Sequence, residues 1–342
     1  MKLSIRHSLA CLGLALATVA CAPSSDAAAP KDESSVSIFL SSTPSGAAVR
    51  RMHEATLRTR YSGVRRVEQH WRVDKVREQL EYRESVACDG LGQFSLAPVE
   101  HVAPAISVSE EAIWTLLQEA REGFLFRYRD FAIRDVRAFA RNYTITLLGT
   151  SVQVAGRDCD EMLVQRRKNA NSLYTIAVDR GTGLVLRTRQ TELDGTLIGV
   201  NEFESIDFAP TFQPPPTWHV ASNSEQPLPP GSAGAQLLGF APKLPTTDGG
   251  SFVLLDLTRI SSVDPSGVGT LHWAKSTLTD GVEVVIFVHA GPDPSYTGDD
   301  AMRVSPSVGP WNHVDGTLQG ERLMALGRVS SDELLDLMEA VL

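Results

Sequence analysis

Cysteine is scarce in this chain, with four residues in 342, and two of these, Cys11 and Cys21, stand at the extreme N-terminus. Histidine is equally sparse, with eight in all, and no two have the spacing of a metal-binding His-x-x-x-His pair. The stretch Arg51-Met-His-Glu-Ala-Thr-Leu-Arg58 holds His53 and Glu54 but no second histidine four residues on, so it reads as a helix face and not as a zinc protease site. No Gly-x-Ser-x-Gly, Walker A or Gly-x-Gly-x-x-Gly run stands between a strand and a helix, so a nucleophile elbow, a phosphate loop and a dinucleotide fingerprint are all missing. Gly156-Arg-Asp-Cys-Asp-Glu161 sets a thiol among acids, which raises its pKa and blunts it as a nucleophile. These absences predict a protein that is no enzyme and needs no metal or cofactor.

Positive charge is the next thing in short supply, and only in part of the chain. Residues 1–213 carry 26 Lys+Arg and 26 Asp+Glu, whereas residues 214–342 carry 6 and 15, so the whole net charge of −9 lies in the second part. With no dominant basic patch, nucleic acid is not an expected partner. An Arg-rich first part and an acidic second part point instead to two domains that face different partners, or each other.

Long apolar runs are also lacking. Leu9 to Ala20 is too short to span a bilayer and follows Lys2 and Arg6, the pattern of an export signal. It ends Thr18-Val-Ala-Cys21, which resembles a bacterial lipobox with Thr18 where Leu is usual. Lipidation of Cys21 is the expected outcome, with membrane contact through the lipid; cleavage near Ala22 or Ala29 to give a soluble periplasmic chain is the alternative. Ala22 after the cysteine favours outer-membrane sorting. Export places Cys88 and Cys159 in an oxidising compartment, where they are expected to form a disulfide or else to remain two separate buried thiols.

What is present is strand pattern. In Tyr174–Gly195, apolar and polar residues alternate on both sides of Asp179-Arg-Gly-Thr-Gly183, the mark of an antiparallel hairpin with one dry and one wet face. Further strands are read at 61–71, 75–85, 144–154, 160–168 and 196–208, with helices at 45–60 and 107–123, the second capped by Ser109. Seven prolines between 209 and 235 mark a linker. Beyond it come strands at 251–257, 269–278, 282–289 and 321–329, and a C-terminal helix with Ser330 and Glu333 at capping-box spacing.

The runs Tyr61–Trp71, Lys75–Tyr82, Gly149–Val164 with Val154-Ala-Gly-Arg157, the Asp179–Gly183 hairpin, Asp194-Gly195 and Gly320–Val341 resemble the MucB/RseB family of periplasmic sigma-factor regulators. The resemblance implies an α+β fold: a large curved antiparallel half-barrel similar to the LolA/LolB carriers, plus a smaller α+β C-terminal domain. The implied organisation is a signal peptide at 1–21, a flexible tether at 22–45, the LolA-like domain at 46–213, a Pro-rich linker at 214–235 and the C-terminal domain at 236–342. It also implies partners: the periplasmic domain of a membrane anti-sigma factor and a lipid or acyl-chain ligand. The dry face of the sheet offers Trp71, Tyr82, Ile176, Leu184 and Leu186 as a lining for that ligand. A LolA/LolB-type carrier without a signalling role is the alternative reading. Lipidation at Cys21 predicts that Cys21→Ser moves the exported protein from the detergent-partitioning membrane fraction to the soluble fraction; a wild type already soluble would contradict it.

Overall fold

The computed structural model describes residues 33–341, apart from 74–75, 112–128, 169–171, 214, 217, 219–224, 230, 246–250, 264–269, 293–300, 309–310 and 319. The signal peptide with Cys21, and most of the helix expected at 107–123, lie outside the described residues. Residues 33–42, expected within a flexible tether, form a helix instead, α1 (Glu33–Ser42). Its Val36 is buried, and Phe39 and Leu40 pack onto the core, so this part of the tether has apolar contacts that hold it.

Helix α2 (Pro44–Arg58) starts where Thr43 accepts a hydrogen bond from the Gly46 amide at 2.9 Å, with proline in its first turn. Ala48, Val49, Met52 and Ala55 fall on one side at helical spacing and are buried. That stripe lies against an eight-stranded antiparallel sheet in the order β3-β2-β1-β8-β7-β6-β5-β4. The strands are β1 (Arg60–Val73), β2 (Val76–Asp89), β3 (Phe94–Ala103), β4 (Tyr143–Val154), β5 (Arg157–Arg166), β6 (Ser172–Asp179), β7 (Val185–Glu192) and β8 (Leu197–Asp207). The sheet is open, with β3 and β4 as its edges. A short helix, α3 (Val136–Asn142), precedes β4 and is capped by Asp135, which accepts from the Ala138 amide at 2.6 Å.

The hairpin β6–β7 forms as its alternation predicts. Asp179, almost fully buried, closes it by accepting from the Thr182 amide at 2.7 Å and hydroxyl at 2.9 Å, and from Arg157 Nε at 2.9 Å. Burial works to raise the Asp179 pKa, but the bonds from Arg157 and Thr182 outweigh it and hold it low. The outer face of the sheet is wet and carries cross-strand ion pairs: Arg83 with Glu100 at 2.6 Å and Glu204 at 2.9 Å, Arg66 with Glu81 at 2.6 Å, and Arg187 with Glu161 at 2.8 Å. Such exposed pairs give register more than stability.

A second sheet of seven strands follows in the order β13-β14-β15-β12-β11-β10-β9. It comprises β9 (Glu225–Pro227), β10 (Val253–Val263), β11 (Thr270–Thr279), β12 (Val284–Pro292), β13 (Ala301–Val308), β14 (Trp311–Leu318) and β15 (Glu321–Gly327). Helix α4 (Ser232–Leu238) packs near β11, and α5 (Ser331–Glu339) buries Leu334 and Met338 with Val285, Phe287 and Ala325. The α+β class with one large and one smaller sheet is therefore as expected. Four strands, β3, β9, β13 and β14, fall where the sequence pattern marked none; β9 lies within the expected linker, where Pro227 pairs with Thr258 at the edge of the second sheet.

The expected Cys88–Cys159 disulfide is corrected by the structure: both thiols are free and buried. Cys88 lies on β2 and Cys159 on β5, and both fall in the same apolar core without being bonded to each other. Burial raises both thiols, Cys159 to about 11, which leaves them inert.

Leu186 is fully buried against Leu184, Phe203 and Tyr61. Leu186→Ala is expected to lower unfolding free energy by about 2–5 kcal/mol, while Leu147→Ala, on the exposed side of edge strand β4, changes it by about 0.5 kcal/mol or less in the same denaturant titration.

Candidate functional site

The face of the first sheet that meets α2 is set by strand parity. Register pairs Tyr61 with Cys88, Arg65 with Glu84, Val67 with Tyr82 and Trp71 with Glu78, so these eight share a face. Arg65 and Phe203, Thr188 and Asn201, Ile176 and Thr188, and Met162 and Ile176 extend it across β8, β7, β6 and β5.

Two apolar cores occupy this region, and a charged belt is set among them. The first core joins Met52 of α2, Ile133, Phe139, Met162, Tyr174 and Ile176. The second joins Tyr61, Val86, Leu184, Leu186 and Phe203. In the belt, Arg65 contacts Glu84 at 2.6 Å and Asp130 at 2.7 Å; Arg129 contacts Glu84 at 2.6 Å, Asp130 at 3.0 Å and the Tyr82 hydroxyl. Asn201 donates to Asp130 at 2.8 Å. Burial alone would raise the Asp130 pKa, but Arg129 and Arg65 overcome it and hold the carboxyl well below its ordinary range.

The five residues expected to line one ligand cavity are not gathered in one place. Ile176 belongs to the first core, and Leu184 and Leu186 to the second. Tyr82 lies under Arg129 in the charged belt, and Trp71, partly exposed, sits near the far end of β1 opposite Glu78. A space of about 90 Å³ remains beside Leu184, Tyr61 and Phe203, with Arg65 and Asp130 also at its wall. That is small beside the ~300–1,000 Å³ of ordinary ligand sites. The charged belt was missed in the sequence, although a signal existed: Arg65 has the same parity as Tyr61 and Val67, and Glu84 the same as Tyr82 and Val86.

The sequence also gave no sign of what completes the first core. Val282, at the tip of the β11–β12 hairpin of the second sheet, is buried within it. The tip residues Thr279-Asp-Gly-Val-Glu283 are all buried. Asp280 Oδ1 accepts from the amides of Val282 at 3.0 Å and Glu283 at 2.8 Å, which closes the turn. Its Oδ2 faces the first domain, accepting from the Tyr143 hydroxyl at 2.8 Å and pairing with Arg166 Nε at 3.1 Å. Asn142 donates to the Asp280 carbonyl at 2.9 Å and to Ser251 at 2.6 Å. The Arg134 amide donates to the Gly281 carbonyl at 2.9 Å, and the Tyr174 hydroxyl bonds Glu283. At the same end of the second sheet, Arg328 donates to the Arg129 carbonyl at 2.6 Å and to Gln190. Glu333 does not turn back to form the expected capping box; Ser330 accepts from the Glu333 amide at 3.2 Å, while the Glu333 carboxylate pairs with Arg166 at 2.7 Å. The second sheet is thus docked end-on, and acids of the acidic part meet arginine and tyrosine of the first.

Gly281 makes the fit possible. A Cβ there would lie 2.3 Å from the Phe139 amide nitrogen, and its φ of +110° is open to glycine alone at low cost. Burial raises the Asp280 pKa to about 6, opposed by Arg166 and reinforced by Glu283. Tyr143 and Tyr174, pushed far upward by burial, stay protonated donors.

Among the described residues, no group of three His, Cys, Asp or Glu is placed to hold a metal ion, and no helix is long and apolar enough to cross a membrane. Residues 108–228 match the family model described as the MucB/RseB N-terminal domain, so the resemblance read from the sequence rests on a family match. No curated protein is matched. Among solved structures, a MucB complex with the periplasmic part of MucA is 18% identical, covering 86% of this chain and 97% of that one, with a TM-score of 0.48. The Pseudomonas aeruginosa MucA/MucB complex is 18% identical over 85% and 95%, with a TM-score of 0.45. A LolA superfamily protein from Nitrosomonas europaea is 9% identical over 49% and 94%, with a TM-score of 0.19.

The raised Asp280 pKa carries a pH dependence with a definite sign. Between about pH 4 and 6 the docked state keeps a proton that the unfolded chain has lost, so docking weakens as pH rises through 6 and strengthens on acidification toward 4–5. The full difference is roughly 3 kcal/mol at ~1.4 kcal/mol per pKa unit. Resistance of the 209–235 linker to a protease is expected to be higher at pH 5 than at pH 7.5, to lose that difference in Asp280→Asn, and to collapse at both pH values in Gly281→Val.

Proposed function

We propose that this chain is an exported regulator of MucB/RseB type that binds the periplasmic segment of a membrane anti-sigma factor. The observation that carries this reading is the MucB/RseB N-terminal domain match over residues 108–228. The MucB structures determined with MucA supply the chemical precedent for such a partner. The proposal includes the division into a domain at 46–213 and one at 236–342, the linker between them, and lipidation at Cys21 as the membrane contact.

Lipidic ligands enter this proposal as a release signal. Ile176 is packed in a core that the docked β11–β12 hairpin completes through Val282, whereas Leu184 and Leu186 lie in a core with no residue of the second sheet, so an acyl chain that reaches Ile176 needs the second sheet to move. Loss of the docked geometry would then change the partner's seat. Acidic residues of the second part that are not engaged by Arg166 and Tyr174 suit a basic partner segment, with faster association at low salt.

The test is a titration of the mature full chain with the periplasmic segment of a single-span anti-sigma factor. Binding is expected, weakened at high salt and reversed by a fluorescent fatty acid or lysophospholipid. Fatty-acid binding with no anti-sigma binding at any salt would replace this reading with that of a carrier.

A further inference from the structure

His289 on β12 has no exposed surface. It lies toward the other end of that strand from the docked Asp280 tip, opposite Ala274 of β11 and Leu323 of β15. The stretch 239–245, a strap that follows α4 on the way to β10, passes over it. Gly239 ends α4 in the left-handed region, with a φ of +83°. Phe240 then meets the His289 ring edge to face, with centroids 5.0 Å apart and planes at 78°. Gly291 makes room for it, since a Cβ there would lie 2.6 Å from the Phe240 ring. Phe240 also shares a small apolar core with Leu228, Leu238, Ala274 and Leu257, so the strap belongs to the packing that seats β9 and α4 on the second sheet.

Both nitrogens of this ring are committed. The Lys243 amide donates to Nδ1 at 3.0 Å, and a ring nitrogen that accepts carries no proton. The proton is therefore on Nε2, which donates to Glu321 Oε2 at 3.1 Å. The same carboxylate oxygen meets Lys243 Nζ at 3.0 Å, so ring and carboxylate hold the strap together. This arrangement requires the neutral imidazole. A second proton would sit on Nδ1 and point at the Lys243 N–H, donor against donor, and would set two cations on one carboxylate. The charged groups that face the ring are Glu321 from β15 and Lys243 from the strap. On the same face Arg259 stands two strands away on β10, where it donates to the Leu237 carbonyl at 3.1 Å and to Gln226. Burial holds the His289 pKa below its ordinary value, against the pull of Glu321 and with the help of Lys243.

We propose that the 239–245 strap is an acid-released latch, opened when His289 takes a second proton and expels the Lys243 amide. The sign follows from the neutral ring of the latched state. A released histidine titrates at ~6.5, so the latch holds fully above that pH and is lost as pH falls below it. Opening lifts Phe240 from Gly291 and uncovers Ala274 and Leu257 of the second sheet. This response is opposite in sign to that of Asp280, whose docking strengthens on acidification. Acid thus tightens one end of the second sheet and loosens the other. The latch is separate from the anti-sigma reading and stands without it.

The experiment is hydrogen exchange on the mature full chain from pH 7.5 to pH 4.5, corrected for the pH dependence of intrinsic exchange, beside NMR of the His289 ring nitrogens over the same range. The Nε2–H tautomer is expected at pH 7.5 and the protonated ring at pH 4.5. Protection of the Lys243 amide is expected to fall about tenfold, the scale of one lost hydrogen bond, with the same midpoint as the ring. Residues 48–55 of α2 are expected to keep their protection, which separates latch opening from unfolding. His289→Asn sets an acceptor that does not titrate near the Nδ1 position and is expected to hold the strap at both pH values. An Nδ1–H tautomer at pH 7.5, a ring still neutral at pH 4.5, Lys243 protection that survives protonation of the ring, or its loss only together with α2 would each overturn the inference. So would an equal acid loss in folded His289→Asn. Should that variant fail to fold, or leave the strap open at both pH values, the two midpoints in the wild type decide.

Discussion

The contact on which this architecture turns is one carboxylate seated at the end of a hairpin. Asp280 closes its own turn with one oxygen and meets Tyr143 and Arg166 with the other. The two roles are inseparable: the side chain that shapes the tip also joins it to the first sheet. Burial makes the charge expensive, and Arg166 only partly offsets this, so the group is a poor source of net stability. What it supplies is orientation. With Gly281 against α3 and Val282 among Met52, Phe139 and Ile176, the second sheet fits the first in one position.

The same logic governs the belt of Arg65, Glu84, Arg129 and Asp130. Replacing such a group by apolar residues of equal volume is often neutral or stabilising, whereas removing one member strands a buried charge. Placed between two apolar cores, the belt divides the inner face into separate compartments. An acyl chain that ran along the face would have to pass these charges. This bounds any lipid site to one side of the belt unless the belt itself rearranges.

Strand pattern carried most of the fold. Period-two alternation located the β6–β7 hairpin, and Ser330 marked the start of the C-terminal helix, because local chemistry alone decides those elements. β3 was hidden because Pro98 and Glu100 interrupt its alternation, as befits an edge. The site was less legible. Leu184 and Leu186 read correctly as dry-face residues, but whether a dry face lines a space or a core depends on what is brought to it from far along the chain. For Ile176 that was Val282, which in sequence is only a residue after an Asp-Gly turn. The free Cys88 and Cys159 thiols make a related point: period-two alternation can send two cysteines into one core, yet it does not set whether they face each other there.

That order has a kinetic consequence. β1 pairs with β2 on one side but with β8 on the other, Ser62 opposite Asp207. The β1–β2–β3 meander and the β4–β8 meander can each form from local contacts, yet they join only through this one long-range seam. Closing so large a loop is entropically costly and slow, so joining β1 to β8 is the natural late step of folding. Until it occurs, both strands present raw edges. A chain emerging from its N-terminus holds the second edge of β1 unpaired until the whole of β8 has followed, and that interval is when its open strand edges are most exposed to wrong pairing.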